Sequence, residues 1–266
     1  MTSMGEAVLQ PFPMLTGRRA QVWRHQPAFR RPRHFHEEPE INLVVQGACV
    51  LGVGNKSVSL GAGELVVFAP GQDHVLLEAS EDLDLFVMAL KPELAARMCD
   101  RSLLLTERTE LSGADLRAAT RELSEVNQIT DPSVIELRLA TFFAKARAPQ
   151  PGAHVLSRRA LERLRAEPDL SGSDLSRYLR SGVSGISRHF HRDLGVRLVE
   201  YRARLRLMEF VRIVDRGQTF THAALAADFG SYAQCHRVFR RVLGCAPSEY
   251  FRGARERVND ALFGVE

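Results

Sequence analysis

The chain is poor in cysteine. Cys49, Cys99, Cys235 and Cys245 are the only four, and no two form a Cys-x-x-Cys pair. That excludes a zinc finger, a redox dithiol and a disulfide-dense scaffold. Long apolar runs are also missing: no stretch approaches the roughly 18 residues a membrane span needs. The opening residues, MTSMGEAVLQPFPM, contain no basic segment leading into a long apolar one. The expectation is a protein with no signal peptide and no membrane partner, working in the reducing cytoplasm. Lysine is scarce too: Lys56, Lys91 and Lys145 are the only three, all in the first 145 positions.

What is present is ordinary for globular proteins, 45% hydrophobic and 26% charged over 266 residues, enough for two cores. The net charge of +4 is unevenly spread. Residues 1–152 carry 16 basic and 19 acidic side chains, net −3; residues 153–266 carry 20 and 13, net +7. A compositional preference for Arg over Lys explains the choice of cation but not the change of sign. A basic half whose cations are all Arg predicts a polyanion-binding module.

Between Val22 and Leu90, short apolar runs (INLVV, ACVLGV, SVSL, ELVVFA, HVLLE, LDLFVMAL) alternate with turn residues such as Gln46-Gly47, Gly54-Asn55 and Pro70-Gly71. Strands every 8–12 residues predict an antiparallel sandwich or barrel. Pro92 opens a helix through Met98. Ser112 with Asp115 resembles a capping box for a helix to about Ile129, and Asp131-Pro132 an N-cap followed by proline at the first helical position. The middle helices either pack on the sandwich or pair with a second subunit. Pro149-Gln150-Pro151-Gly152 reads as the linker.

From His154 to Phe251 the pattern is helical and duplicated. SDLSRYLRSGVSGISRHFHRDLG and THAALAADFGSYAQCHRVFRRVLG share a short helix, a tight turn and a second helix with a basic-aromatic motif. Arg188, Phe190 and Gly195 recur as Arg237, Phe239 and Gly244, each 49 positions later. Both units end in the glycine expected at a helix C-cap. Two helix-turn-helix units separated by a long helix predict a protomer reading two successive major-groove faces of double-stranded DNA. The outward face of the first recognition helix carries Ser184, Ser187 and Arg188; that of the second carries Tyr232, Ala233, His236 and Arg237. Arg188 and Arg237 suit guanine, although Arg188 could instead pair with Asp193. Arg192, Arg240 and Arg241 suit phosphates.

The segment FTHAALAADFGSYAQCHRVFRRVLGCAPSEY resembles the signature of AraC/XylS-type transcription regulators, through Ala224, Phe229, Arg237, Phe239, Gly244, Pro247 and Tyr250. The resemblance covers about 100 C-terminal residues. Departures are Asp228 in place of a usual Gly, Cys235 in place of an aromatic, Phe210 in place of a small Ala, and Ser176 in place of an Ala. They imply altered packing and a less tight first unit.

In the first half, His34-x-His36-x-x-x-Glu40 precedes Gly47, and Gly63, Pro70, Gly71 and His74 follow in order. This resembles the two cupin motifs, and AraC-type regulators often carry such a barrel as an effector sensor. The resemblance implies effector contacts from His34, His36, Glu40 and His74. No cofactor is certain, but the same four residues could hold a divalent metal: Fe, Mn, Ni or Zn. Arg30, Arg31 and Arg33 could clamp an anionic effector or form a solvated basic loop; Trp23 could stack on a ligand or fill core.

The expected architecture is α+β. A cupin-like β-sandwich (jelly roll) sensor spans 1–92, a helical linker or dimerisation segment 93–150, an all-α double helix-turn-helix domain 153–252 and a tail 253–266. The expected function is a DNA-binding, effector-sensing regulator, not an enzyme, acting as a homodimer, with RNA polymerase as a further partner. Alternatives are a metal-dependent cupin enzyme with an appended helical domain, and an architectural or RNA-binding protein.

Overall fold

A computed structural model describes residues 7–12, 14–15, 17–25, 31–98, 109–126, 128–129, 131–145 and 153–254. The apolar runs become strands: β1 (Val8–Leu9), β2 (Ala20–Arg24), β3 (His34–Phe35), β4 (Glu40–Gln46), β5 (Ala48–Val53), β6 (Lys56–Gly61), β7 (Glu64–Phe68), β8 (His74–Ala79), β9 (Asp84–Leu90) and β10 (Thr109–Glu110). They form two five-stranded sheets, in the orders β1-β3-β8-β5-β6 and β10-β7-β4-β9-β2. The strand alternation of β4 shows how these layers pack. Val44 joins Cys49, Leu51, Val53 and Leu60 of the first sheet in one core. Ile41 and Leu43 point the other way, into a second core.

That second core receives the middle helices α1 (Pro92–Met98), α2 (Gly113–Val126) and α3 (Pro132–Lys145). Leu123, Val126, Ile135, Leu139 and Phe142 bury against the sandwich there. Of the two placements open to these helices, the protomer itself supplies the first. The caps follow the expected chemistry: the Asp115 N–H donates to Ser112 Oγ (3.2 Å) and the Ser133 N–H to Asp131 Oδ1 (2.8 Å). Helix α2 ends at Val126, three residues earlier than expected. Strands β1 and β10, two residues each, are too short to carry a sequence period. The linker at 149–152 and residues 255–266 lie outside the described residues.

The C-terminal half contains α4 (Val155–Ala166), α5 (Gly172–Leu179), α6 (Val183–Leu194), α7 (Leu198–Asp215), α8 (Phe220–Ala226), α9 (Tyr232–Leu243) and α10 (Pro247–Glu249), closed by a wide turn at Tyr250–Ala254. Gly195 and Gly244 cap α6 and α9 in the left-handed region, at φ +76° and +74°. Eighteen residues make α7 about 27 Å long. Phe190 of α6 packs on Tyr201 at one end of α7 (5.2 Å), and Phe239 of α9 packs on Phe210 further along (5.8 Å).

The family departures acquire physical meanings. Asp228 sits at φ +59°, the conformation for which glycine is the usual choice. Its carboxylate pairs with Arg206 at 3.0 Å. Phe210 and Cys235 are both fully buried, and Phe210 packs on Phe220, Phe239 and Phe251. Ser176 does not loosen the first unit: its hydroxyl donates to the Ser181 carbonyl across the turn (2.7 Å).

The helical half docks directly on the sandwich. Gln72 Nε2 donates to the Leu194 carbonyl (2.9 Å) and the Tyr250 hydroxyl to the Leu9 carbonyl (3.3 Å). The Asn55 N–H donates to the Gly195 carbonyl (3.2 Å). The backbones meet so closely that a Cβ on Gly54 would lie 2.3 Å from the Gly195 oxygen.

Two outcomes are expected. Asp228→Gly relieves the left-handed strain and loses only an exposed ion pair, so urea unfolding shows stability unchanged or raised by up to about 1 kcal/mol; Asp228→Val lowers it by about 1–2 kcal/mol. Gly54→Ala pries the halves apart: amide exchange over residues 194–204 rises roughly tenfold, equivalent to about 1.4 kcal/mol, while the strands of the sandwich keep their protection.

Candidate effector centre and DNA-reading face

His34, His36, Glu40 and His74 come together in the interior of the sandwich, all buried, with one donor atom from each lying within 4.8 Å of the others. Register explains the convergence. His34 on β3 pairs directly with His74 on β8, and Glu40 opens β4 of the opposite sheet. Strand alternation then aims His34 and His36 to one side and the intervening Phe35 to the other. Phe68 stacks on His74 (4.3 Å) and Phe12 meets His36 edge-on (4.5 Å), which fixes both rings.

The hydrogen bonds define the tautomers. His34 Nδ1 lies 2.8 Å from the Pro32 carbonyl, His36 Nδ1 2.7 Å from that of Glu38, and His74 Nδ1 3.1 Å from that of Gln72. A carbonyl only accepts, so each Nδ1 carries the hydrogen and each Nε2 turns inward. Nε2 of His36 and of His74 lie 3.1 Å and 3.2 Å from the same oxygen, Glu40 Oε2. Nε2 of His34 is buried with no partner. Burial, reinforced by the neighbouring His74, holds the His34 pKa well below its ordinary value, so this ring is neutral. For Glu40, burial works against ionisation, but His74 and His36 outweigh it and hold the carboxyl well below the usual range. Asn42 Nδ2 donates to the other Glu40 oxygen (2.6 Å) and orients it.

Three imidazoles anchored at Nδ1 by backbone carbonyls, their Nε2 atoms facing one oriented carboxylate, form a donor set with its supporting shell already in place. Bonds of about 2.1 Å put tetrahedral ligand atoms about 3.4 Å apart, so the group would have to contract to close on an ion.

The arginines near the motif take other roles. The Arg31 guanidinium lies over the Phe12 ring (5.5 Å), and burial lowers its pKa. Arg33 donates to Asp73 Oδ2 (2.7 Å) and to the Gly54 carbonyl (3.0 Å). Neither belongs to a solvated loop; Arg30 lies outside the described residues. Trp23 packs against Phe12 (4.9 Å) at the edge of the inner core. A cleft of about 690 Å³ opens between sandwich and helices, lined in part by Arg33, Asp73, Arg197, Glu200, Arg204 and Arg241.

On the first recognition helix, α6, Ser184 and Arg188 are exposed and Ser187 is half-buried, while Ile186 and Phe190 are fully buried. Asp193 does not take Arg188. It pairs with Arg192 (2.9 Å) and accepts from Ser157 Oγ (2.6 Å) and the His154 N–H (2.9 Å), tying α4 to α6. Arg192, expected at a phosphate, therefore has an acidic neighbour. On α9, Ala233, Arg237, Arg240 and Arg241 are exposed, and Cys235 and Phe239 are buried. Tyr232 and His236 are half-buried; the Tyr232 ring stacks on Phe220 (5.9 Å), so much of it serves packing. Arg241 also lines the cleft between the two halves. Cys49 and Cys235 are buried thiols whose pKa values burial pushes up to about 11 and about 12, which makes them unreactive.

Sequence reasoning missed the residues around the cluster: Asn42, which orients Glu40, and Gln72, Asp73 and Arg204, which join the two halves. One signal was available for Arg204. It lies on the face of α7 that also carries Tyr201, Leu205 and Met208, all buried, so a charge stands in an apolar stripe.

Comparison with known proteins bears on both halves. The family model described as AraC-like ligand binding domain matches residues 19–141. That described as Helix-turn-helix domain matches residues 175–253. No curated protein matches the chain. Among solved structures, ToxT from Vibrio cholerae O395 is 15% identical over 92% of this chain and 98% of that one, with a TM-score of 0.49. ToxT from Vibrio cholerae strain SCE256 bound to unsaturated fatty acid is 15% identical over 92% and 96%, with a TM-score of 0.48. A variant of the Bacillus subtilis oxalate decarboxylase OxdC aligns over 28% of this chain and 22% of its own, at 19% identity and a TM-score of 0.25. Among the described residues no helix is long and apolar enough to cross a membrane. With a ligand-binding sandwich ahead of paired helix-turn-helix units, the chain belongs to the AraC-type transcription regulators.

Proposed function

We propose that this protein is a cytoplasmic, ligand-sensing transcription regulator whose sensor site is the histidine–glutamate cluster and whose natural occupant is a divalent transition metal. The observation that carries the DNA reading is the exposure of Arg188 and Arg237, one on each recognition helix. Their guanidiniums can each grip O6 and N7 of a guanine. Ser184, Ser187, Ala233 and His236 complete the base-facing surface; Arg192, Arg240 and Arg241 supply phosphate contacts. The exposed Val134 and Leu137 of α3 suit a homodimer contact. RNA polymerase is the further partner of this reading.

The observation that carries the metal reading is the buried, unpartnered Nε2 of His34 beside two more inward-facing Nε2 atoms and an ionised carboxylate. An unpaired buried acceptor costs free energy, about 1–3 kcal/mol, that a cation would offset. Three imidazoles and a carboxylate suit Fe(II), Mn(II), Ni(II) or Zn(II). Bound there, such an ion would accept the Nε2 lone pairs and neutralise Glu40. The helix-turn-helix pair gives the cluster a reader to instruct, which a metal-dependent enzyme does not need.

Both readings have direct tests. In gel-shift titrations at fixed salt on DNA upstream of the protein's own coding sequence, Arg188→Ala and Arg237→Ala each cost about 1–3 kcal/mol and relax sequence choice at one position. Arg240→Ala weakens all sequences alike and lowers the salt slope by about 1. Equal wild-type affinity for random DNA would refute the specific regulator. In calorimetric titration of chelator-treated protein with Zn(II), about one equivalent binds, His34→Ala loses stoichiometric binding, and Asn42→Leu weakens it roughly 10–100-fold.

A further inference from the structure

His74 is the last residue of a short segment, Ala69–His74, that joins β7 to β8. Its ring points into the cluster, while the two residues before it reach the helical half. Gln72 Nε2 donates to the Leu194 carbonyl at the end of α6. Asp73 pairs with Arg204 of α7, both side chains only 5% exposed, and Arg204 Nη1 also donates to the Gly71 carbonyl (3.2 Å). The same division holds on β3. His34 and His36 face the cluster, and between them Phe35 lies under the Arg204 guanidinium (5.1 Å). The two segments are bonded to each other as well, the Gly71 N–H donating to the His36 carbonyl (2.8 Å). Gly71 itself sits against Tyr201, Leu205 and Met208 of α7. One backbone unit therefore presents three donors of the cluster on one side and the seat of α7 on the other.

We propose that Gly71–Asp73 and Arg204 form a latch through which occupancy of the cluster sets how the DNA-binding half sits on the sensor. This rests on reading the cluster as the sensor site. Drawing the Nε2 atoms of His34, His36 and His74 onto an ion moves the segments that carry Phe35, Gln72 and Asp73. Those residues contact α6 and α7 and lie within two residues of a cluster histidine in the chain. Arg33 matters to the design: it keeps Asp73 paired when Arg204 is removed, so the latch can be cut without stranding a buried carboxylate.

The test uses the full chain, chelator-treated, with and without Zn(II). Three quantities are measured: metal stoichiometry, amide exchange over residues 194–208, and affinity for the DNA upstream of its own coding sequence. In the wild type, one Zn(II) changes exchange over 194–208 several-fold and DNA affinity by about 5–150-fold. Arg204→Met binds Zn(II) with the same stoichiometry, but both responses shrink to less than about twofold. Gln72→Glu behaves alike, because it retains the acceptor for the Ala69 N–H and sets a carboxylate against the Leu194 carbonyl. Wild-type responses in both variants, or a Zn(II)-loaded wild type whose 194–208 segment is unchanged, overturn the latch. If the wild type binds no Zn(II), the metal reading fails by itself and His74→Ala decides the coupling. Altered exchange over 194–208 then supports a latch driven by another effector, and unaltered exchange overturns it.

Discussion

The ion pair between Asp73 and Arg204 constrains much of this molecule. Both side chains are 5% exposed, and a charge that far from water must be matched where it lies. Asp73 is matched twice: Arg33 of the sandwich and Arg204 of α7 hold its carboxyl below the ordinary range against the opposing effect of burial. Arg204 in turn reaches Glu200 and the Gly71 carbonyl. The pairing fixes where α7 lies, and α7 fixes both helix-turn-helix units. Replacing such a pair with apolar residues is often neutral for stability, whereas removing one partner usually is not. Its presence is better explained by the position it specifies than by the energy it contributes.

The cluster inside the sandwich obeys the same logic with different chemistry. A β-sandwich core is ordinarily apolar, yet here three imidazoles and a carboxylate occupy it beside Phe12 and Phe68. Each outer ring nitrogen is satisfied by a backbone carbonyl two residues from its own position. These local contacts orient each ring with little dependence on its neighbours. What remains inward is one shared contact, Nε2 of His36 and of His74 on the same Glu40 oxygen, and beside it the Nε2 of His34, buried with no partner.

Much of this was legible from residues alone. Turn residues and apolar runs marked β4 to β9, because strands in a two-layer sandwich alternate or bury whole. Ser112, Asp131, Gly195 and Gly244 marked helix ends, because capping is local chemistry. The spacing His34-x-His36 placed two rings on one face, because strand side chains repeat every second residue. The latch was not legible. Asp73 and Arg204 stand 131 positions apart, and nothing local announces that a charge will be buried against a distant partner. Gly54 and Gly195 looked like a turn glycine and a helix cap. Each is what it looked like, yet their contact, which leaves no room for a side chain on either, exists only once the halves are docked. Ser176 was misread for a related reason: a hydroxyl in place of a methyl suggests poorer packing until its acceptor, the Ser181 carbonyl, is known.

Helix α7 performs two jobs that constrain how a signal can act. It is the rod between the recognition helices, with Phe190 locked on Tyr201 and Phe239 on Phe210. Those two seats are nine residues apart, about 13.5 Å along the helix. It is also the surface that meets the sensor, through Arg204 and the Gly71 contact of Tyr201, Leu205 and Met208. A packed helix does not stretch, so a signal entering through Arg204 cannot alter the spacing of the two readers without breaking their buried aromatic seats. It can change the pose of the pair as a unit. Regulation built on this joint therefore acts on how the reading half is presented to DNA, and leaves the spacing within one protomer fixed.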